Sequence, residues 1–321
     1  QTQVATVIPY FNRFITTFPT VFDLAKSDLQ TVLKSWEGLG YYSRARNLHK
    51  AAKMVAEERD GIFPTTYQDL QKLPGIGPYC AAAITSIAFQ NPVPVVDGNV
   101  LRVFTRFWGL YDDIKQPKTR DILFKKLEPF IVKSSPSEFN QGIMELGALI
   151  CTPKNPNCSV CPINSDCYAK EQQKTLELPV KTKSKKTPHF NIGVGVIWKK
   201  NKILIAKRKE DQMLGGLWEF PGGKQKENEC ITTTIKREIK EETSLEVIVK
   251  SPYAIIKHAY SHFKITLHAY KCIYKEGIAK KNTSDDIKWI PIEKLNYYPF
   301  PTANKKLIKS IIEEQKTLFK I

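Results

Sequence analysis

Four of the seven cysteines are clustered in one short loop, with the spacing Cys151-x6-Cys158-x2-Cys161-x5-Cys167. A loop of this density, interrupted by prolines, can wrap four thiolates around one compact centre. A tetrahedral zinc ion and a [4Fe-4S] cluster are the two physical candidates. Zinc sites usually use two C-x2-C pairs, and only one is present here, so the spacing favours the iron-sulfur cluster. A disulfide interpretation is weak in a chain without a secretion signal.

A second candidate metal site lies on a predicted helix near the middle of the C-terminal half. Glu238, Glu241 and Glu242 fall at i, i+3 and i+4 and therefore project from one helical face. Such a face can bind a divalent cation, Mg or Mn, against a pyrophosphate, although it is also typical of a solvated amphipathic helix. The segment 220–224 precedes a Nudix box with one departure, Ser244 in place of Gly. The box is Gly223-x5-Glu229-x7-Arg237-Glu238-Ile239-x-Glu241-Glu242-x-Ser244-Leu245.

A glycine turn and an aspartate provide the remaining chemistry. Gly75 and Gly77 form a tight Pro-Gly-Ile-Gly turn between two helical stretches, where glycine lets the backbone approach a ligand closely. The turn amides and the following helix N-terminus can hold a DNA phosphate without base recognition, although a lone Gly-x-Gly is more often only a turn. Asp97 follows the apolar run 93–96 and precedes Gly98, a setting that can bury and orient a carboxylate or cap a helix.

The elements that position these residues divide into two classes. Apolar residues recur at three- and four-residue spacing through residues 1–167, which predicts a helix bundle. Residues 168–187 are polar and Lys-rich and are interpreted as a linker. Residues 188–321 alternate like strands, which predicts an α+β domain. The predicted strands of that domain are 192–198, 203–206, 246–249, 265–273 and 287–290, and its predicted helices are 227–242 and 304–320.

Composition agrees with a soluble two-domain chain that binds a polyanion. The 321 residues carry 49 Lys+Arg against 32 Asp+Glu, a net charge of +17 and a pI near 9.4. Such an excess suits nucleic acid, although a Lys-rich composition also arises from the base composition of a gene. No apolar run approaches the roughly 18 residues of a membrane span, and no signal peptide pattern is visible, so we expect a cytoplasmic, nucleoid-associated protein.

Several motifs together resemble a known family. The cysteine loop and the segments 73–79 and 96–100 look like the helix-hairpin-helix DNA glycosylases with an iron-sulfur loop. The segments 1–4, 38–48 and 139–141 resemble MutY-type adenine DNA glycosylases specifically. The resemblance implies a multidomain protein. It comprises an all-α helix-hairpin-helix glycosylase domain with a [4Fe-4S] loop, and an α+β Nudix-like domain that recognises 8-oxoguanine.

The resemblance also implies the roles of the catalytic residues. Excision of adenine needs an acid for the leaving base and a carboxylate for the positive charge on the sugar. Asp97 is implied as that carboxylate, with Asn99 hydrogen-bonding in the pocket and Gln141 at the flipped adenine. Tyr79 stands where related lyases carry a nucleophilic Lys, and a phenol cannot form a Schiff base, so a monofunctional enzyme is expected.

Contacts with DNA are implied in the same way. Gln1 and Tyr41 correspond to wedge residues that fill the stack around the opposite base. Ser261 and His262 belong to a Tyr-Ser-His-Phe loop that resembles the family's Phe-Ser-His loop, in which the serine contacts the oxidised guanine. The expected partner is double-stranded DNA with adenine opposite 8-oxoguanine, bound by a monomer.

The resemblance places the proton-donating Glu before Gln1, so these 321 residues are expected to lack it and to be inactive as they stand. Three other hypotheses remain. The first is a Nudix hydrolase tethered to DNA by its helical domain, and the second is a non-catalytic lesion-binding protein. The third is an endonuclease III-like enzyme for oxidised pyrimidines, which Tyr79 and the Nudix-like domain disfavour.

Overall fold

The computed structural model describes residues 4–183, 186–260 and 262–318. The chain divides into two compact units. One consists of Ile62–Lys185 and is called the helical unit here. The other joins Gln1–Gly61 to Lys186–Ile321 and is called the composite unit. The Gln1 and Ser261 predictions lie outside the described residues.

The N-terminal part of the composite unit is helical. Its α2 begins with a capping box in which the Thr20 and Asp23 side chains each accept the other residue's backbone N–H. Asp28 caps α3 by accepting the Thr31 amide at 3.0 Å. These caps satisfy backbone donors that would otherwise be orphaned at each helix start. The helices are α1 (Val4–Thr17), α2 (Val21–Lys26), α3 (Leu29–Ser35) and α4 (Tyr42–Glu58).

The helical unit contains short helices joined by tight turns. Pro78 and Pro117 occupy the first turns of α6 and α8, where a missing N–H costs nothing. Leu101, Leu123 and Leu127 are buried at the centre of its core. The elements are α5 (Tyr67–Leu70), α6 (Pro78–Phe89), α7 (Gly98–Trp108), α8 (Pro117–Ile131), α9 (Pro136–Glu145), a π-turn (Leu146–Ile150), a 3-10 turn (Cys158–Val160) and α10 (Tyr168–Glu171).

The C-terminal part of the composite unit is a mixed sheet with a helix on each face. Strands run in the order β3-β2-β1-β6-β5, with β4 paired to β1 and β7 to β2. Only β1 and β6 are parallel among the described pairs. The elements are β1 (His189–Lys199), β2 (Lys202–Arg208), β3 (Trp218–Glu219), β4 (Gly222–Lys224), α11 (Ile231–Thr243), β5 (Glu246–Ala259), β6 (Lys264–Glu276), β7 (Ser284–Pro291), a 3-10 turn (Ile292–Tyr297) and α12 (Thr302–Leu318).

The predicted helical and strand-rich regions match this architecture with local differences, whereas the compact units group residues 1–61 with the C-terminal half and not with residues 62–167. No strand occurs among the described residues up to Cys167, as the helical period predicts. The helix predicted from 227 begins at Ile231, because Asn228 is left-handed at φ 61° and Cys230 is the extended N-cap. The strand predicted at 246–249 continues to Ala259 past irregular pairing at Pro252. Part of the predicted linker 168–187 is ordered on the helical unit, where Leu178 is buried, and the domain bounds stay a prediction.

The two halves of the composite unit share a core. Leu217, in the loop before β3, is fully buried among apolar residues of α2, α3 and α4. The Trp218 indole donates to Gln30 Oε1 at 2.7 Å, and Gln30 Nε2 donates to the Gly216 carbonyl at 2.9 Å. Arg46 donates to the Gly215 carbonyl at 2.7 Å. The N-terminal helices and the sheet domain are therefore one packed body. In the described part of the chain, no helix has the length and apolarity to cross a membrane.

Candidate functional site

Asp97 is the N-cap of α7 and is half-buried. Its Oδ1 accepts the Val100 amide at 2.8 Å, and its Oδ2 accepts Asn99 Nδ2 at 3.3 Å. Both hydrogen bonds orient the Asp97 carboxyl group. The predicted alternatives, cap and oriented carboxylate, therefore coexist in one residue.

The segment before Asp97 is held by a residue whose role the sequence analysis missed. Asn140 of α9 is fully buried. Its Oδ1 accepts the Val95 amide at 2.9 Å, while its Nδ2 donates to the Val93 carbonyl at 2.9 Å and to Ser86 Oγ at 2.8 Å. A buried amide with all these bonds satisfied fixes the path of the strand-like run. The only signal in the sequence is an Asn on an otherwise apolar helical face.

Arg102 links Asp97 to the cysteine loop, and this too was missed. Its Nη2 donates to Asn99 Oδ1 at 2.8 Å and to the Gly147 carbonyl at 2.6 Å. Its Nε donates to the Cys151 carbonyl at 2.7 Å. The guanidinium therefore fixes the Asn99 amide so that its N–H points to Asp97. The sequence around Arg102 does not reveal these contacts, because the accepting carbonyls of Gly147 and Cys151 lie 45 and 49 residues further along the chain.

Tyr79 of α6 lies near Asp97. Burial, followed by the negative charge of Asp97, raises the pKa of the Tyr79 phenol. The hydroxyl is therefore protonated at neutral pH and is a hydrogen-bond donor rather than a nucleophile.

The glycine turn precedes α6 as predicted. Gly75 is left-handed at φ 80°, and Gly77 is the exposed N-cap of α6, followed by Pro78. A Cβ at Gly77 would meet no atom within 4 Å, so the space in front of the helix is open. Amides at such a helix start can bind a phosphate.

The four cysteines line one small cavity together with Arg106, which is only 2% exposed. Arg106 Nη1 donates to Cys151 Sγ at 3.3 Å, while its other N–H groups donate to the carbonyls of Leu178, Thr152 and Pro153 at 2.8–3.1 Å. Burial, and then the neighbouring thiols, raise the pKa of Cys158.

These thiols fit a cationic iron centre, because thiolates gathered in a buried cavity need nearby positive charge. Within the described residues, no three or more His, Cys, Asp or Glu side chains lie in an arrangement that could hold a metal ion as they stand.

The predicted wedge residue Tyr41 lies in a tight turn before α4. It is 57% exposed and left-handed at φ 47°. Trp36 Nε1 donates to the Gly40 carbonyl at 3.0 Å, and the Gly38 amide donates to the Tyr42 hydroxyl at 3.2 Å. These bonds fix the turn from inside. On the other unit, Gln141 is exposed on α9, with its Nε2 donating to Ser137 Oγ at 2.9 Å.

The Nudix-box glutamates are joined by Arg237. Its guanidinium pairs with Glu229 at 2.8 Å, Glu238 at 2.7 Å and Glu241 at 3.2 Å. Glu242 instead accepts the Gly222 amide at 3.0 Å. Burial, followed by the charge of the nearby Glu219, raises the pKa of Glu242 to about 8. The three predicted metal ligands thus differ: Glu238 and Glu241 are paired with Arg237, whereas Glu242 is half-buried and has a raised pKa.

A pocket of about 540 Å³ adjoins the box, between the sheet and α12. Glu238 and Glu242 line one side, and aromatic rings of the loop 260–263 line another. Asn304, which is 7% exposed, contributes a buried Oδ1 without a hydrogen-bond partner among the described residues. His262 is exposed. The sequence analysis missed Asn304, which lies far from the box.

Three protein-family models match separate parts of the chain, and each part contains motifs that the sequence analysis described. Residues 1–129 match the family described as HhH-GPD superfamily base excision DNA repair protein. Residues 151–167 match the iron-sulfur binding domain of endonuclease III, so an iron-sulfur cluster is the cofactor of the cysteine loop. Residues 193–310 match the NUDIX domain family.

Curated relatives are similar along nearly the whole chain. The adenine DNA glycosylase of Buchnera aphidicola from Schizaphis graminum is 34% identical over 96% of this chain and 87% of its own length. The human adenine DNA glycosylase is 31% identical over 96% of this chain, which spans 65% of that protein. The Arabidopsis thaliana protein of the same name is 32% identical over 90% of this chain and 54% of its own length.

Solved structures resemble the two parts separately. A thermostable thymine-DNA glycosylase is 26% identical with a TM-score of 0.48, covering 52% of this chain and 76% of that chain. Endonuclease III in a non-covalent DNA complex is 27% identical with a TM-score of 0.47, covering 53% and 78%. The MutT protein of Methanosarcina mazei Go1 is 21% identical with a TM-score of 0.39, covering 41% and 99%.

Proposed function

The chain belongs to the adenine DNA glycosylase family, and we propose that it excises adenine paired with 8-oxoguanine from double-stranded DNA, as a monomer. The arrangement of Asp97, Asn99 and Arg102 carries this proposal, because it fixes one carboxyl group at the start of α7 through hydrogen bonds to both of its oxygens. Such a carboxylate stabilises positive charge that develops on a sugar when its base departs.

The reaction follows from these residues. The bond between deoxyribose C1′ and adenine N9 breaks, its electron pair leaves with the base, and the base takes a proton from an acid. Asp97 faces the resulting cationic C1′, and water then adds to C1′ and releases a proton. Tyr79 offers no amine for a Schiff base, so the product is an abasic site in an uncut strand.

The cysteine loop supports the same carboxylate. Cys151, Cys158, Cys161 and Cys167 would hold the [4Fe-4S] cluster, which supplies positive charge and fixes the loop when bound. The Cys151 carbonyl accepts Arg102 Nε at 2.7 Å, so fixing the loop also fixes Arg102 and, through it, Asn99.

DNA contacts are proposed for three surfaces. The exposed turn at Gly75 and Gly77 suits a phosphate, and a net charge of +17 favours a polyanion. Tyr41 is exposed at the tip of its turn and suits insertion into a base stack. The loop that holds His262 and the undescribed Ser261 is proposed to contact the oxidised guanine.

The test is single-turnover excision by the full-length protein on three duplexes. They pair adenine with 8-oxoguanine, adenine with thymine, and cytosine with 8-oxoguanine, and alkali reveals abasic sites. We expect cleavage of the adenine strand only, and only opposite the lesion. Asp97→Asn should slow it about 10³-fold, whereas Asp121→Asn, a matched change at an exposed site of α8, should not. Excision from no duplex would contradict the proposal.

A second candidate function rests on the pocket beside the Nudix box. The box retains its glutamates and arginine, and they border a cavity that contains the unpaired Asn304 Oδ1. This arrangement supports hydrolysis of an oxidised nucleoside triphosphate with Mg or Mn. Pyrophosphate release that needs the metal and is lost in Glu241→Gln would support it, and release equal to a protein-free control would exclude it.

A further inference from the structure

The turn that carries Tyr41 has an unusual backbone. Gly38, Gly40 and Tyr41 all have positive φ, at 108°, 73° and 47°. Such a conformation is costly for a tyrosine and persists only where surrounding contacts fix it. The hydrogen bonds made by Trp36 and Tyr42 fix the turn locally, and other contacts attach it to the rest of the composite unit.

Glu37, the residue that enters the turn, provides that attachment. It is 9% exposed. Its Oε1 accepts the Phe300 amide at 2.9 Å, and its Oε2 accepts Lys34 Nζ at 2.8 Å and Lys305 Nζ at 2.9 Å. Burial opposes ionisation of Glu37, but these hydrogen bonds outweigh it and hold its pKa below its usual value.

The other partners of the segment 298–305 strengthen this attachment. Lys34 Nζ also donates to the Tyr298 carbonyl at 3.1 Å. The Tyr42 hydroxyl donates to the Phe300 carbonyl at 3.5 Å, so Phe300 is bonded through both its amide and its carbonyl. Its ring stacks on Phe220, with centroids 5.7 Å apart, at the edge of the pocket.

The lesion-contacting loop adjoins the same group. Burial, and then the charges of Glu37, Tyr10 and Tyr260, raise the pKa of Tyr42 to about 12. Tyr260 packs against the hydrophobic cluster that contains Phe300, and its ring stacks on Phe263 with centroids 4.8 Å apart. One network thus extends from the loop 260–263 to the residue next to Tyr41.

We propose that Glu37 is a positioning residue that holds Tyr41 in register with the lesion-contacting loop, and that it thereby sets the preference for adenine opposite 8-oxoguanine. This inference rests on the proposed function. Glu37 lies in the composite unit and the Asp97 group in the helical unit. Loss of the Glu37 contacts should therefore change the preference for the base opposite adenine more than the chemical step of excision.

The experiment compares single-turnover excision of adenine opposite 8-oxoguanine with excision opposite guanine, in the full-length protein. Glu37→Gln keeps an acceptor for the Phe300 amide but removes the charge that pairs with Lys34 and Lys305. We expect the ratio of the two rate constants to fall about tenfold. The matched control is Glu58→Gln, the same change at an exposed site of α4, which should leave the ratio unchanged.

A second measurement reports on the wedge itself. 2-Aminopurine placed beside 8-oxoguanine brightens when its stack is opened, so binding of the wild-type protein should raise its fluorescence and Glu37→Gln should raise it less. A change in stability alone would not alter the fluorescence at saturating folded protein. If Glu37→Gln does not fold, Lys305→Met removes one partner only and should shift both measurements in the same direction.

The outcomes separate the two proposals. A wild-type protein that excises adenine from neither duplex overturns the proposed function and this inference with it. A wild-type preference that persists in Glu37→Gln and Lys305→Met, together with unchanged fluorescence, overturns the positioning role of Glu37 alone. A reduced ratio with reduced fluorescence supports it.

Discussion

Replacing Arg102 with methionine should slow base excision while leaving the protein folded. The guanidinium makes three short bonds, to Asn99, Gly147 and Cys151, at 2.8, 2.6 and 2.7 Å. Methionine keeps the length of the side chain and makes none of them. Asn99 is then free to rotate, and Asp97 loses the amide N–H that it accepts at 3.3 Å.

The size of the effect follows from these bonds. Arg102 is half-buried, so each bond is assigned about 1 kcal/mol, near the low end for charged donors, for a total of about 3 kcal/mol of unfolding free energy. A displacement of Asp97 by about 1 Å costs roughly 10²-fold in rate. Arg102→Lys keeps the charge but reaches fewer acceptors, so its excision rate should lie between those of the wild-type protein and Arg102→Met.

The assay is single-turnover excision, accompanied by iron content and urea unfolding. Arg120→Met is the matched control, since Arg120 is exposed on α8. We expect the rate to fall in Arg102→Met at an iron content close to that of the control. An unchanged rate at full iron content would refute the role of Arg102, and a rate loss that follows iron loss in proportion would assign the effect to the cysteine loop instead.

Three further predictions follow from neighbouring features. Asn140→Leu removes three buried hydrogen bonds and should lower the unfolding free energy by about 3 kcal/mol in urea; a loss below about 1 kcal/mol would contradict the bracing role. Burial raises the pKa of Glu242 from its ordinary value of 4.5 to about 8 in the folded protein, so its contribution to stability is complete below 4.5 and is lost as pH rises through 8. Wild-type stability relative to Glu242→Gln should therefore be higher at pH 5 than at pH 8.5, and equal differences at both pH values would exclude the shift. A Cβ at Gly147 would lie 2.6 Å from Asn99 Cβ, so Gly147→Ala should reduce the excision rate about tenfold, whereas Gly142→Ala, with no atom within 4 Å, should not; equal rates would show that Asn99 can move without cost.

Local patterns were sufficient for much of the fold and for the position of Asp97 at a helix start. The helical period, the strand alternation and the box on α11 each depend on residues a few positions apart. Asp97 was identified as both cap and carboxylate for the same reason, because its neighbours determine its backbone. Ser244 ends α11 at φ 59°, in the left-handed position where a glycine is usual.

Contacts between distant segments were beyond sequence reasoning. Asn140 bonds to Val95, 45 residues away, and Glu37 bonds to Phe300, 263 residues away. Nothing in either local pattern specifies such a partner, since a polar residue on a helix, such as Asn140, or in a turn, such as Glu37, is as typical of the solvated surface. Element ends were missed for a simpler reason. The late start of α11 depends on one left-handed residue, Asn228, within a polar stretch that fits a helix equally well.

The shared core of the composite unit has a consequence for how the chain folds during synthesis. Trp218 and Gln30, which are hydrogen-bonded, are 188 residues apart, and the whole helical unit emerges between them. The first four helices therefore leave the ribosome without Leu217, the residue that fills the space between them. Domains tend to fold as units in the order in which they emerge. Here, however, helices α2, α3 and α4 complete their core only after the C-terminal part of the composite unit has been made.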